Sequence, residues 1–256
     1  MSPVEESLCR RWNARHPVVA IQNAIKAAFP DLEQMLPPID PYLLAKRRGI
    51  KQVSIREIET DGFMSQTSNG DYIVELNAAH PEARRRFTLA HEIAHTFFFD
   101  LMQPEGNGNR YRAADCHEVS FHRDLSEEYL CNVAASELLM PSTQFMSGLN
   151  KYGPTAWAVV QISRDLKTSL QATAWRISWL VPYKIIICCW QHDHVSNIYK
   201  TLWTTPLVAS SQSPIKRYCV YKSEPVCKKF SEERAFRGWS WASLGGPLEP
   251  EFSIRP

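Results

Sequence analysis

The apolar positions along the chain hold one period for a stretch and then change it, and the changes mark out the elements. Between residues 4 and 36, Val18, Val19, Ile21, Ile25, Ala28, Phe29, Leu32 and Leu36 recur at spacings of three and four, the repeat of a helix with one buried face. Pro30 breaks that run and Pro37-Pro38 close it. Asp40 then offers an N-cap, Pro41 a first turn and Gly49 a stop, so a helix is expected over 39–50. Alternation takes over beyond it. Gln52 to Ile58, Gly62 to Gln66 and Tyr72 to Leu76 read as strands, and Ser68-Asn69-Gly70-Asp71 turns the last two into a hairpin.

The densest apolar stretch follows. Residues 85–100 read RRFTLAHEIAHTFFFD, where Phe87, Leu89, Ala90, Ile93, Ala94, Phe97 and Phe98 make a helix too apolar for a surface. Gly106, Gly108 and scattered charge make 100–125 a loop. A second apolar helix, EEYLCNVAASELL, is expected from about Ser126, with that serine as N-cap and Glu127 and Glu128 in a first turn that favours acids; it stops at Met140-Pro141. A helical pair occupies 154–180. Tyr183 to Trp190 reads as a buried strand, and IYKTLW and KRYCVYK as short β pieces among Ser/Pro-rich links. The expected class is α+β, with a helical extension over 1–37, a central domain over 38–182 and a small, mostly β domain over 183–256.

Composition narrows the partners more than the fold. The chain is 44% hydrophobic and 22% charged, enough to build a real core, and its net charge of +2 is too small to argue for nucleic acid or membrane. Residues 181–256 hold ten Lys/Arg against six Asp/Glu, a mild local excess. Seven cysteines, an odd number without framework spacing, point to a reducing compartment. The stretch MSPVEESLCRRWNARHP lacks an apolar signal core, and no run approaches the roughly 18 apolar residues of a membrane span. A cytoplasmic protein is the expectation.

The chemistry sits inside the apolar stretch, at His91-Glu92-Ile93-Ala94-His95. Positions four apart share a helix face, so both imidazoles can reach one metal ion at about 2.0–2.1 Å. Glu92, roughly a hundred degrees round the helix, is placed as a general base for a metal-bound water. Polar groups in so apolar a frame need partners. A catalytic zinc needs three protein ligands and an open position. The candidates for the third are Glu127, Glu128, Asp115, Cys116, His117, His122 and Cys131. Glu128 is favoured locally, because an apolar helix able to pack on the first holds a ligand more rigidly than a loop. Asn132, one turn on, is placed to accept the other ring N–H of a ligating histidine.

FTLAHEIAH followed some thirty residues later by EEYLCNVAASELLMP resembles the ImmA/IrrE metallopeptidases, whose pattern is an H-E-x-x-H helix and then a helix reading roughly E-x-x-A-N/D-x-F-A-x-x-L-L-M-P. The resemblance runs from IDPYLLAKRRGI to about residue 180. It implies a zincin-like domain, a small mixed sheet with active-site helices. It implies metal ligands at His91, His95 and Glu128, a catalytic Glu92, and Asn132 on the Asn/Asp position. It also implies zinc, with another divalent ion such as Mn2+ as the alternative, and a protein substrate, a helix-turn-helix repressor whose cleavage regulates transcription in stress responses. Cys131 stands where the family usually has Ala, Leu130 where a second Glu is common, and Ala134 where Phe is usual. Cys131 reads as a small buried residue, with a redox-sensitive neighbour of the metal as the alternative. Tyr111, His117, His122 and Tyr129 are available as oxyanion donors, and Tyr72 to Leu76 is expected to be an edge strand for an extended substrate.

Two rival readings stand beside this one. Residues 156–180 imitate a helix-turn-helix around Lys167-Thr168-Ser169, with Gln171, Thr173 and Arg176 as base readers. Trp157, Trp175 and Trp179 instead suggest core burial, and no basic stripe supports DNA contact. A metal-binding but non-proteolytic sensor or adaptor is the other, against which Glu92 is retained. His192 and His194 form an H-x-H pair too sparse for a site, and Cys188-Cys189 read as core. Lys228, Lys229, Arg234 and Arg237 with Trp239 and Trp241 read as a solvated face.

Overall fold

A computed structural model describes residues 1–102, 125–153, 156–180, 187–193 and 198–205. Among them are eight helices and two sheets in the order α1 (Pro3–Arg11), α2 (Pro17–Ala28), α3 (Pro41–Arg47), β1 (Ile50–Arg56), β2 (Gly62–Gln66), β3 (Tyr72–Asn77), α4 (Glu82–Met102), α5 (Leu125–Leu139), α6 (Ser142–Tyr152), α7 (Ala156–Asp165), α8 (Leu170–Leu180), β4 (Cys188–Asp193) and β5 (Ile198–Thr204). The class is α+β. The chain forms two compact units, Met1–Phe145 with Asp165–Thr168, and Met146–Arg164 with Ser169–Pro256.

In the first unit the three strands form a mixed sheet in the order β1-β3-β2. β2 and β3 make the expected antiparallel hairpin, and β1 lies parallel to β3. β3 is therefore the central strand, not the edge that the alternation of Tyr72 to Leu76 was expected to supply. Both of its sides carry ladder hydrogen bonds, and among the described residues the edge strands are β1 and β2. Periodicity reports which face of a strand is buried and says nothing about which strands flank it. Gly62 opens β2 where a side chain cannot fit: a Cβ there would stand 2.6 Å from Thr88 Cγ2 and 2.9 Å from the Glu75 carbonyl. That contact seats β2 against α4 about one turn before His91.

Several polar clips fix the ends of α4. Asn77, buried at the end of β3, donates to the carbonyls of Ile58 and Thr60 at 2.6 and 2.8 Å and accepts from the Ala79 amide, shaping the chain as it leaves the sheet. Arg84 holds both oxygens of Asp61, and the His80 ring meets the same carboxylate at 2.7 Å. Arg86 is buried and donates to the carbonyls of Ile39 and Lys167. Arg48, just beyond α3, donates to Thr96 and lies over the Phe97 ring at 4.6 Å.

The core lies between α4 and α5. Leu89, Ala90, Ile93, Ala94, Phe97 and Phe98 of α4 are buried, as are Leu130, Cys131, Val133, Ala134, Ala135, Leu138 and Leu139 of α5. From Leu130 to Leu139 only Asn132 is exposed, so α5 is covered on nearly every face. Each large aliphatic or aromatic side chain sealed there is worth about 1.5–3 kcal/mol of transfer free energy. α1 and α2 add Leu8, Ala20, Ile21, Ala24 and Ile25 and pack on α4 and α5, which accounts for the apolar face read in residues 1–37.

In the second unit α7 and α8 correspond to the expected helical pair, and β4 and β5 pair antiparallel. One expectation for this region fails. Trp157 and Trp175 are 43% and 36% exposed, not core, because they occupy the outward faces of α7 and α8 while Ala158, Val159, Ile162, Ala174 and Ile177 fill the inward ones. Of the base readers the rival helix-turn-helix would use, Thr173 and Arg176 are buried and Gln171 is exposed. α6 has no counterpart in the sequence reading. Its apolar signal is only Phe145 and Leu149, and Gly148 interrupts it. Gly148 is needed, since a Cβ would come within 2.9 Å of Ile162 on α7. Among the described residues no helix is long and apolar enough to cross a membrane.

Candidate metal centre

The long, buried α4 carries His91 and His95 one above the other, and α5 brings Glu127, Glu128, Cys131 and Asn132 against them. The two imidazoles meet edge to face with centroids 4.9 Å apart. Their Nε2 atoms are 3.2 Å from each other. Glu128 closes the triangle, with Oε2 3.1 Å from His91 Nε2 and Oε1 3.6 Å from His95 Nε2. Donors about 2.0–2.1 Å from a tetrahedral ion stand roughly 3.3–3.4 Å apart. The three spacings bracket that value.

The outer nitrogens are engaged too. His91 Nδ1 lies 3.1 Å from Asn132 Oδ1, and His95 Nδ1 lies 2.9 Å from Glu127 Oε1. With each Nδ1–H donating outward, both Nε2 lone pairs turn inward beside a carboxylate. Three acceptors facing one another repel unless a cation sits among them, so the donor set fits a divalent metal on chemical as well as metrical grounds.

Cys131 Sγ is 3.4 Å from His95 Nδ1. Cys131, His91 and His95 have donor atoms within 4.8 Å of one another, a wider cluster than the Glu128 triangle. The thiol sits on the Nδ1 side of the ring, away from the Nε2 atoms that converge. It is fully buried, as a small core residue should be, and it also borders the site.

Glu92 is 3% exposed, and its Oε2 has no hydrogen-bond partner among the described residues. An orphaned carboxylate oxygen in an apolar helix is costly, of order 1–3 kcal/mol, and marks a group awaiting a partner. Of the other candidates, Tyr129 is exposed on α5. Tyr111, Asp115, Cys116, His117 and His122 lie outside the described residues, as do the side chains of Cys188, His192, His194 and the basic-aromatic cluster after residue 205. The sequence reading used Glu127 only as a rival ligand and missed its contact with His95. No local signal separates Glu127 from Glu128, since both stand in the first turn of α5.

Comparison with known proteins shows the family. The peptidase family described as the IrrE N-terminal-like domain matches residues 45–178. The chain belongs to that family of metallopeptidases. It is 29% identical over 116 residues to the radiation response metalloprotease IrrE of Deinococcus radiodurans, covering 44% of this chain and 33% of that protein. Its identity to the protein of the same name in Deinococcus deserti is 32% over 129 residues, covering 48% and 43%. The chain thus spans less than half the length of the curated relatives it matches. A solved Mycobacterium tuberculosis transcriptional regulator aligns over 74% of this chain and 57% of its own at 16% identity, with a TM-score of 0.42.

Proposed function

We propose that this protein is a zinc-dependent endopeptidase that cuts a protein substrate, with Mn2+ as the alternative metal. The observation that carries the reading is the convergence of His91 Nε2, His95 Nε2 and the Glu128 carboxylate at 3.1–3.6 Å. His91, His95 and Glu128 hold the metal, and Asn132 orients His91 through Nδ1. When bound, a divalent ion supplies Lewis acidity, activating water and polarising a peptide carbonyl. Glu92 accepts the proton of the attacking water and delivers it to the leaving amine. Its buried, unpartnered Oε2 supports that role, since burial keeps the carboxylate from being satisfied elsewhere. An extended substrate pairs along the open edge of β2, which the Gly62–Thr88 contact seats beside α4, and not along the central β3. The substrate class, a helix-turn-helix repressor governing a stress response, rests on the family resemblance.

The test compares the full chain with Glu92→Gln, each assayed for bound zinc and incubated with candidate repressors encoded nearby in the genome. The expected result is about one zinc in both and a discrete fragment with wild type alone. Zinc in neither protein, or equal cleavage by both, overturns the reading.

A further inference from the structure

The two histidines are held from behind by chemically unequal groups. His91 Nδ1 meets a neutral amide on an exposed residue, whereas His95 Nδ1 meets the carboxylate of Glu127 at 2.9 Å in a setting where the His95 side chain is 2% and the Glu127 side chain 14% exposed. A first-turn glutamate kept only by the helix dipole would stand in water. Glu127 instead turns inward, and His95 is its partner among the described residues.

We infer that Glu127 is a positioning residue for the metal centre: its carboxylate fixes His95 with the proton on Nδ1 and the lone pair on Nε2, and makes His95 the stronger of the two imidazole donors. The inference rests on the metal reading above and adds a residue to it. The chemistry is general, because an imidazole whose N–H is held by an anion is a more basic ligand through its other nitrogen, and losing such a partner typically weakens metal affinity about 10–100-fold. Cys131 packs on the same nitrogen at 3.4 Å but is a weak acceptor, so it cannot replace the carboxylate. Glu127 and Glu128 thereby divide the work of adjacent positions, one behind the ring and one facing the ion.

The experiment measures zinc affinity by chelator competition on the full chain, for wild type, Glu127→Ala, Glu127→Gln and His91→Ala, alongside thermal unfolding of each metal-free protein. Glu127→Ala is expected to weaken zinc about 10–100-fold with little change in metal-free unfolding, and Glu127→Gln, which keeps an acceptor but not the charge, to recover part of that loss. In the zinc-loaded wild type, nitrogen NMR should show a slowly exchanging proton on His95 Nδ1 that Glu127→Ala loses. If Glu127→Ala does not fold, Glu127→Gln carries the measurement, with a weakening between wild type and the 10–100-fold loss supporting the inference. Tight zinc in wild type, lost in His91→Ala but unchanged in the Glu127 variants, overturns this inference alone. No zinc in wild type overturns both it and the reading beneath it.

Discussion

The helix pair α4–α5 and the helix pair α7–α8 each set polar side chains into an apolar frame. In α7–α8 those groups are satisfied at once by their own backbone: Ser163 Oγ donates to Val160 O, Thr173 Oγ1 to Ser169 O and Ser178 Oγ to Trp175 O. In α4–α5, His91 and His95 instead reach across to Asn132, Glu127 and Glu128 on the other helix, and their Nε2 atoms face each other at 3.2 Å. Local satisfaction keeps a helix to itself; side chains that converge across two helices build a site. Both pairs look alike in hydropathy, so the difference lies in where the hydrogen bonds go.

The largest expected effect tests the α4–α5 pair directly. Glu92→Gln should lower cleavage on the order of 10²–10⁴-fold while leaving metal content unchanged, read by single-turnover cleavage and metal analysis. A matching loss of metal would mean that Glu92 holds the ion and does not move protons. Leu138→Ala loosens the frame without touching a donor, and should cost about 2–5 kcal/mol in urea unfolding while zinc at saturation stays stoichiometric. Arg176→Ala probes the other pair: removing a buried, engaged guanidinium should destabilise by about 1–3 kcal/mol and leave retention on DNA unchanged. Lost DNA retention at unchanged stability would make α7–α8 a binding pair.

The smallest effect concerns an exposed cluster, a third way of using polar groups. The Arg84 guanidinium beside Asp61, aided by His80, holds that carboxyl below its usual range. Its contribution is present above the unfolded value of about 3.9 and is lost as pH falls through the lower folded value. At half exposure the pair is worth under about 1 kcal/mol. Asp61→Asn should lower stability by that amount at neutral pH and flatten the acid limb of a urea-unfolding series.

Much of the first unit is legible from local signals. Asp40 caps α3 as its spacing with Pro41 implies, the turn at 68–71 joins β2 to β3, and α5 ends at Leu139 before Pro141. The period of α4 predicts that His91 and His95 share a face, and Glu128 and Asn132, which the family resemblance implies, lie against His91. What escapes are relations between elements. The central place of β3 depends on β1 arriving in parallel from the far side of a hairpin. The outward turn of Trp157 and Trp175 depends on which face of their helices finds a partner, and large aromatics do not announce that. Glu127 was hidden for the same reason: two adjacent glutamates in a first turn look identical until a second helix gives one a ring to stand behind.

The near-complete burial of α5 from Leu130 to Leu139 bears on how long the centre persists. Amides on a helix covered all round take up deuterium only when the surrounding unit opens as a whole. Glu128 lies just before that stretch, in a first turn where Leu125 and Tyr129 are exposed and Ser126 and Glu127 half-buried, so that end of the helix can open by itself. On the proposed ligand set, the rings of His91 and His95 would keep their places for as long as the unit stays folded, and the half-exposed turn carrying Glu128 would be the side on which a ligand lets go first.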